Sequence, residues 1–67
     1  MEMHSVSSSR IKKIGWSSSL MRILFPDGSL YEYYDVSYDE YISFSKSPSL
    51  GKALAVLEKR HRFAKVN

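Results

Sequence analysis

Sixty-seven residues allow one domain, because a chain of about 60 residues buries only roughly 60% of the surface it exposes when unfolded. The absence of cysteine excludes disulfides and Cys-ligated zinc, and the two histidines, His4 and His61, stand apart in sequence, so packing alone has to hold the core. The longest apolar run, Leu20 to Phe25, is interrupted by Arg22 and excludes a membrane-spanning helix, which needs about 20 mostly apolar residues, while a net charge of +3 leaves anionic partners open.

Residues 1–8 read as a loosely ordered lead-in, because Met1 to Ser9 is polar and includes Ser5, Ser7, Ser8 and Ser9. Ile11 to Trp16 then interleaves Ile11, Ile14 and Trp16 with Lys12 and Lys13, which predicts a short edge strand whose lysines discourage edge-to-edge pairing. Ser17, Ser18 and Ser19 make the next turn. Met21, Ile23 and Phe25 alternate on one face, Pro26-Asp27-Gly28 turns the chain, and Leu30 to Tyr34 resumes strand composition with Tyr31 and Tyr33 on one face. This predicts a β-hairpin.

After Val36 the period changes. Ser37 with Glu40 three residues on matches a capping box and predicts a short helix carrying Tyr41 and Phe44 on neighbouring turns. Ser47-Pro48 reads as an N-cap followed by proline at the first position of a second helix, running to His61 or Arg62. In it Leu50, Leu54, Leu57 and His61, joined by Ala53, form an apolar stripe, and Lys52, Lys59 and Arg62 project from the opposite side. The expected fold is α+β: a small antiparallel three-stranded β-meander packed against one short and one longer C-terminal α-helix, all in a single domain.

Charge is polarised along the chain. Met1 to Ser45 holds four basic and six acidic residues, a balance of −2; Lys46 to Asn67 holds six basic residues and only Glu58, a balance of +5. Such a segment attracts nucleic acid and equally describes a solvated helix face.

The string Phe25-x-x-Gly28-x-x-Tyr31-x-Tyr33-x-x-Val36, followed by Tyr41 and by Ser47-x-Ser49-x-Gly51, resembles the KTSC domain, as does the opening stretch Ser8-Ser9-x-Ile11-x-x-Ile14-Gly15-Trp16. That family takes its name from the C-terminus of some lysyl-tRNA synthetases and also occurs as free-standing small bacterial and phage proteins. The resemblance implies the fold over nearly the whole chain, and the synthetase association suggests RNA as a ligand. Two departures stand out: Ser37 replaces the proline that usually follows the valine, and Ala53 and Leu54 replace aromatic residues after the glycine of the second helix.

Catalytic equipment is not expected. A triad needs a nucleophile, a base and an orienting acid in reach, and His61, on an apolar stripe near a helix end, reads as a packing residue or a dipole-favoured cation. Asp35, Asp39 and Glu40 are explained by capping rather than by a metal, and Gly15, Gly28 and Gly51 are isolated, so no cofactor is expected. The expected function is a non-catalytic binding module in the cytoplasm, as the N-terminus lacks a secretory pattern. RNA or single-stranded nucleic acid would be held through Arg10, Lys12, Lys13, Lys52, Lys59, Arg60, Arg62 and Lys65, with Trp16 and Tyr34 as candidate stacking residues. Tyr31 and Tyr33 read first as the sheet's share of the core, against Leu54 and Leu57. The alternative is a protein-interaction module, a phage- or plasmid-type product that docks on a host protein or self-associates through a sheet edge.

Overall fold

A computed structural model describes residues 1–67. The alternation read at the centre of the chain becomes three adjoining strands: β2 (Lys13–Ser17), β3 (Leu20–Leu24) and β4 (Leu30–Tyr33). Register places Ile14, Ile23 and Tyr31 in one cross-strand row and Trp16, Met21 and Tyr33 in the next, so the same face of each strand turns inward. Two helices cover that face, α1 (Tyr38–Ser45) and α2 (Leu50–Arg60). Ile11, Ile14, Met21, Ile23, Tyr33 and Val36 meet Tyr41, Phe44, Leu50, Leu54 and Leu57 in one core.

The sheet has five strands rather than three. The presumed lead-in contains β1 (Met3–Ser5), antiparallel to β2, and the chain continues past α2 into β5 (Phe63–Lys65), antiparallel to β4. Strand order follows the sequence, β1-β2-β3-β4-β5, with the helix pair inserted between β4 and β5. The strand expected at Ile11 to Trp16 therefore begins two residues later and is an inner strand, while Ile11 packs into the core from the preceding loop. Gly15 lets the N-terminus come close: a Cβ there would lie 2.6 Å from Met3 Sδ and 2.7 Å from the Glu2 carbonyl oxygen.

Helix boundaries follow side-chain hydrogen bonds. Ser37 caps α1 in the expected capping box, its Oγ accepting the Glu40 N–H at 3.1 Å. The N-cap of α2 is Ser49, not Ser47; Ser47 Oγ instead accepts the Ser49 N–H at 3.2 Å, and Pro48 lies ahead of the cap. The helix stops at Arg60 because His61 takes up an extended backbone (φ −126°, ψ 148°) and turns the chain into β5. There the Tyr34 N–H donates to the Arg62 carbonyl (2.9 Å) and the Val66 N–H to the Leu30 carbonyl (2.8 Å). His61 thus leaves the leucine stripe. Its ring, with only 10% of the side chain exposed, joins three elements: Nδ1 lies 3.0 Å from the Tyr34 carbonyl and Nε2 2.8 Å from Glu40 Oε2. Both neighbours are acceptors, so a ring carrying a proton on each nitrogen satisfies both.

Candidate nucleic-acid interface

With Leu50, Leu54 and Leu57 buried, rotation of about 100° per residue turns Lys52, Val56 and Lys59 outward, with Arg60 beside them. The two lysines lie on one line, about 10 Å apart along the axis. The helix's only acid, Glu58, is drawn away from this face: its Oε2 accepts the Tyr33 hydroxyl at 2.9 Å. The cations themselves have no acidic partners. Among all Lys and Arg side chains, only Arg22 forms an ion pair, with Glu32 on the sheet face opposite the helices. Lys59 and Arg60 also sit in the last turn of α2, where the helix dipole favours positive charge.

Arg10 lies at the other end of the helix, on the flank that carries Gly51. Gly51 makes room for it, since a Cβ at that position would come within 2.8 Å of Arg10 Cδ and 3.4 Å of Nε. Around the guanidinium opens a polar cavity of about 450 Å³ lined by Ser7, Ser8, Ser9, Ser45, Ser47 and Ser49, together with Arg10 itself. Two separate serine clusters in the sequence are thus one wall and the other of a single cavity. Their clustering was the available signal, but nothing in a linear reading says that residues 7–10 fold against residues 45–51.

The remaining predicted cations are dispersed. Lys13 lies on the sheet face away from the helices, Lys12 is exposed in the loop before β2, and Arg62 lies just beyond α2. Lys65 is paired in register with Tyr31 and so shares the inner sheet face, near Asp27. The structure therefore sets Lys52 and Lys59 on one outer line of α2, with Arg60 on one flank of that line and Arg10, packed on Gly51, on the other, and places the remaining cations around them or behind the sheet.

Neither candidate stacking residue stands free. Trp16 is half-buried; its Nε1–H donates to the Val36 carbonyl at 2.8 Å, and its ring lies 5.1 Å from Tyr38 and 6.4 Å from Tyr41. Tyr34 is half-buried at the end of β4. Tyr33 is wholly buried, and burial together with the Glu58 carboxylate pushes its hydroxyl pKa well up. Sequence reasoning missed one aromatic surface, where Phe63, carried on the unexpected β5, joins Phe25 and Tyr31.

The motif residues have structural work. The Gly28 N–H closes the β3–β4 turn onto the Phe25 carbonyl at 3.0 Å, Val36 and Tyr41 are buried, and Ser47, Ser49 and Gly51 shape the α2 start and its cavity. No helix is long and apolar enough to cross a membrane.

These features define a two-layer α+β domain, an antiparallel meander with a helix pair on one face and a cationic outer helix surface. The family profile of the KTSC domain matches residues 7–57, and the chain belongs to that family. The matched span holds β2, β3, β4, α1 and most of α2; β1 and β5 lie outside it. No curated protein matches the chain.

Proposed function

We propose that this domain is a non-catalytic cytoplasmic module that binds single-stranded nucleic acid, foremost RNA, through Arg10, Lys52, Lys59 and Arg60. The observation that carries the reading is the absence of any carboxylate partner for these four cations, three of which lie on a helix whose one acid is engaged by Tyr33. Unpaired cations are available to replace the counterions of phosphates, which supplies sequence-independent affinity. The association of the family with lysyl-tRNA synthetases supports RNA in particular.

Binding of tRNA and of single-stranded oligonucleotides, followed against salt, tests it. Affinity is expected to fall by orders of magnitude between about 50 and 200 mM salt, and the K59E/R60E variant to lower the logarithmic salt slope by about 1.4, at about 0.7 per phosphate contact. Affinity that is undetectable at low salt overturns the reading. A second reading, a protein-interaction module docking on a host protein, is favoured by the unpaired outer edges of β1 and β5. Partners that stay bound in a nuclease-treated pull-down support that reading instead.

A further inference from the structure

The helix pair leaves one corner of the inner sheet face uncovered. There Phe25, Tyr31 and Phe63 wall a groove of about 490 Å³ whose rim carries Asp27, Ser29 and Glu58. Tyr31 stands edge-on to Phe25, with centroids 5.3 Å apart and planes at 86°, and lies 6.3 Å from Phe63. Phe63 stacks on buried Tyr33 at 5.2 Å yet remains 42% exposed, so an aromatic ring with a fixed support is presented to solvent.

The rim chemistry narrows the occupant. Asp27 Oδ1 accepts the Ser29 N–H at 2.8 Å and Glu58 Oε2 accepts the Tyr33 hydroxyl, which fixes both carboxylates while leaving each a second oxygen. Two anions repel a phosphate from the groove itself. A cationic side chain meets Lys65, which shares this sheet face beside Tyr31. A flat neutral ring with N–H donors on its edge satisfies both features: its face stacks on Phe63, and its edge donates to the carboxylates. The cations that would hold its phosphate are close by in the chain, Lys59 next to Glu58 and Lys65 two residues after Phe63.

We propose that this groove is a base subsite, which takes one unstacked amino-bearing base (cytosine, adenine or guanine) from a single strand whose phosphates run along α2. The inference rests on the nucleic-acid reading above. Exocyclic amino groups donate to carboxylates, as cytosine N4 does to Glu or Asp, whereas uracil presents two carbonyls and a single N–H. The subsite therefore discriminates against uracil, while the helix cations are indifferent to sequence.

The test uses the intact chain and labelled hexaribonucleotides of cytosine, adenine and uracil, with anisotropy read at about 50 mM salt. Oligo-C and oligo-A are expected to bind about fivefold to tenfold more tightly than oligo-U, the worth of one charge-assisted hydrogen bond. E58Q and D27N keep an amide oxygen for Tyr33 and for Ser29, so the fold persists, as thermal melting will verify. Each is expected to shrink the preference by raising affinity for oligo-U, which a merely structural role would not do. Equal affinities in the parent, or an unchanged preference in both variants, overturn the subsite while leaving the α2 reading standing. Failure of every oligomer to bind overturns both. If the NMR resonances of Phe25, Tyr31 and Phe63 shift with an arginine-rich peptide but not with cytidine monophosphate, the groove is a cation site and the inference falls.

Discussion

The inner strands and the outer strands of this sheet are held in different ways. β2, β3 and β4 bury Ile14, Met21, Ile23 and Tyr33 under the helices, whereas β1 and β5 bury no side chain fully and are three residues long each. The outer strands are fixed by main-chain hydrogen bonds and by local fit: Met3 over Gly15 on one side, Phe63 against Tyr33 on the other. An inner strand is thus specified by its own side-chain period, and an outer strand by the unpaired edge that its neighbour offers.

Substitutions at the two kinds of position should separate them most widely. Tyr33→Ala removes a fully buried ring and leaves Glu58 without its donor, so urea denaturation is expected to show a loss of about 3–5 kcal/mol, enough to unfold most of the population. Gly15→Ala forces a methyl against Met3 Sδ and the Glu2 carbonyl at the outer junction, and is expected to cost about 1–3 kcal/mol. Its signature should be local, with hydrogen-exchange protection lost across β1 and its pairing with β2 but kept in β3 and β4. Uniform loss of protection through the sheet would mean that β1 belongs to the same cooperative unit as the core.

The same division explains what a linear reading could see. The hairpin of β3 and β4, the Ser37–Glu40 capping box and the Leu50–Leu54–Leu57 stripe each depend on periodicity or spacing within a few residues, and all three are present. Residues 3–5 and 63–65 have no such period of their own, and pairing is decided by a partner about ten residues away for β1 and about thirty for β5. The family match stops short of both segments as well. For the interface, charge polarity singled out Lys52, Lys59, Arg60, Arg62 and Lys65 alike, and did not show that Arg62 lies beyond α2, that Lys65 sits on β5, or which way β2 turns Lys13. Because Ile14 turns inward, alternation along β2 puts Lys13 behind the sheet.

A smaller effect concerns the junction that β5 completes. His61 beside Glu40 holds the Glu40 carboxyl below its usual range, with burial opposing and the Ser37 hydrogen bonds adding to the effect. A carboxylate whose pKa is depressed by folding stabilises the native state fully above its unfolded pKa, and that contribution is lost as the pH falls through the folded value. Melting temperature is therefore expected to fall on acidification through and below the ordinary glutamate range. E40Q should flatten that dependence and lower stability at neutral pH; an E40Q variant with the parent's acid profile would show that the Glu40–His61 contact does not set it.

The least change is expected at the turn joining the two inner strands β2 and β3, and it should be a gain. Ser17 pairs with Leu20, so Ser18 and Ser19 form a two-residue loop with φ of 49° and 67°, the backbone of a type I′ turn, for which Asn-Gly is preferred. Serine in the left-handed region carries a penalty of roughly 1–2 kcal/mol, from which the added unfolded-state entropy of glycine subtracts about 0.4–1 kcal/mol. Both side chains are exposed, and the Ser19 carbonyl that accepts the Val36 N–H at 2.9 Å is main chain, so neither function is lost on replacement. The S18N/S19G variant is thus expected to gain about 0.5–1 kcal/mol, a rise of a few degrees in Tm for a domain of this size. Because the gain arises between inner strands, it should raise global unfolding resistance while leaving the exchange of β1 and β5 unchanged; protection rising equally in all five strands would erase the distinction between them.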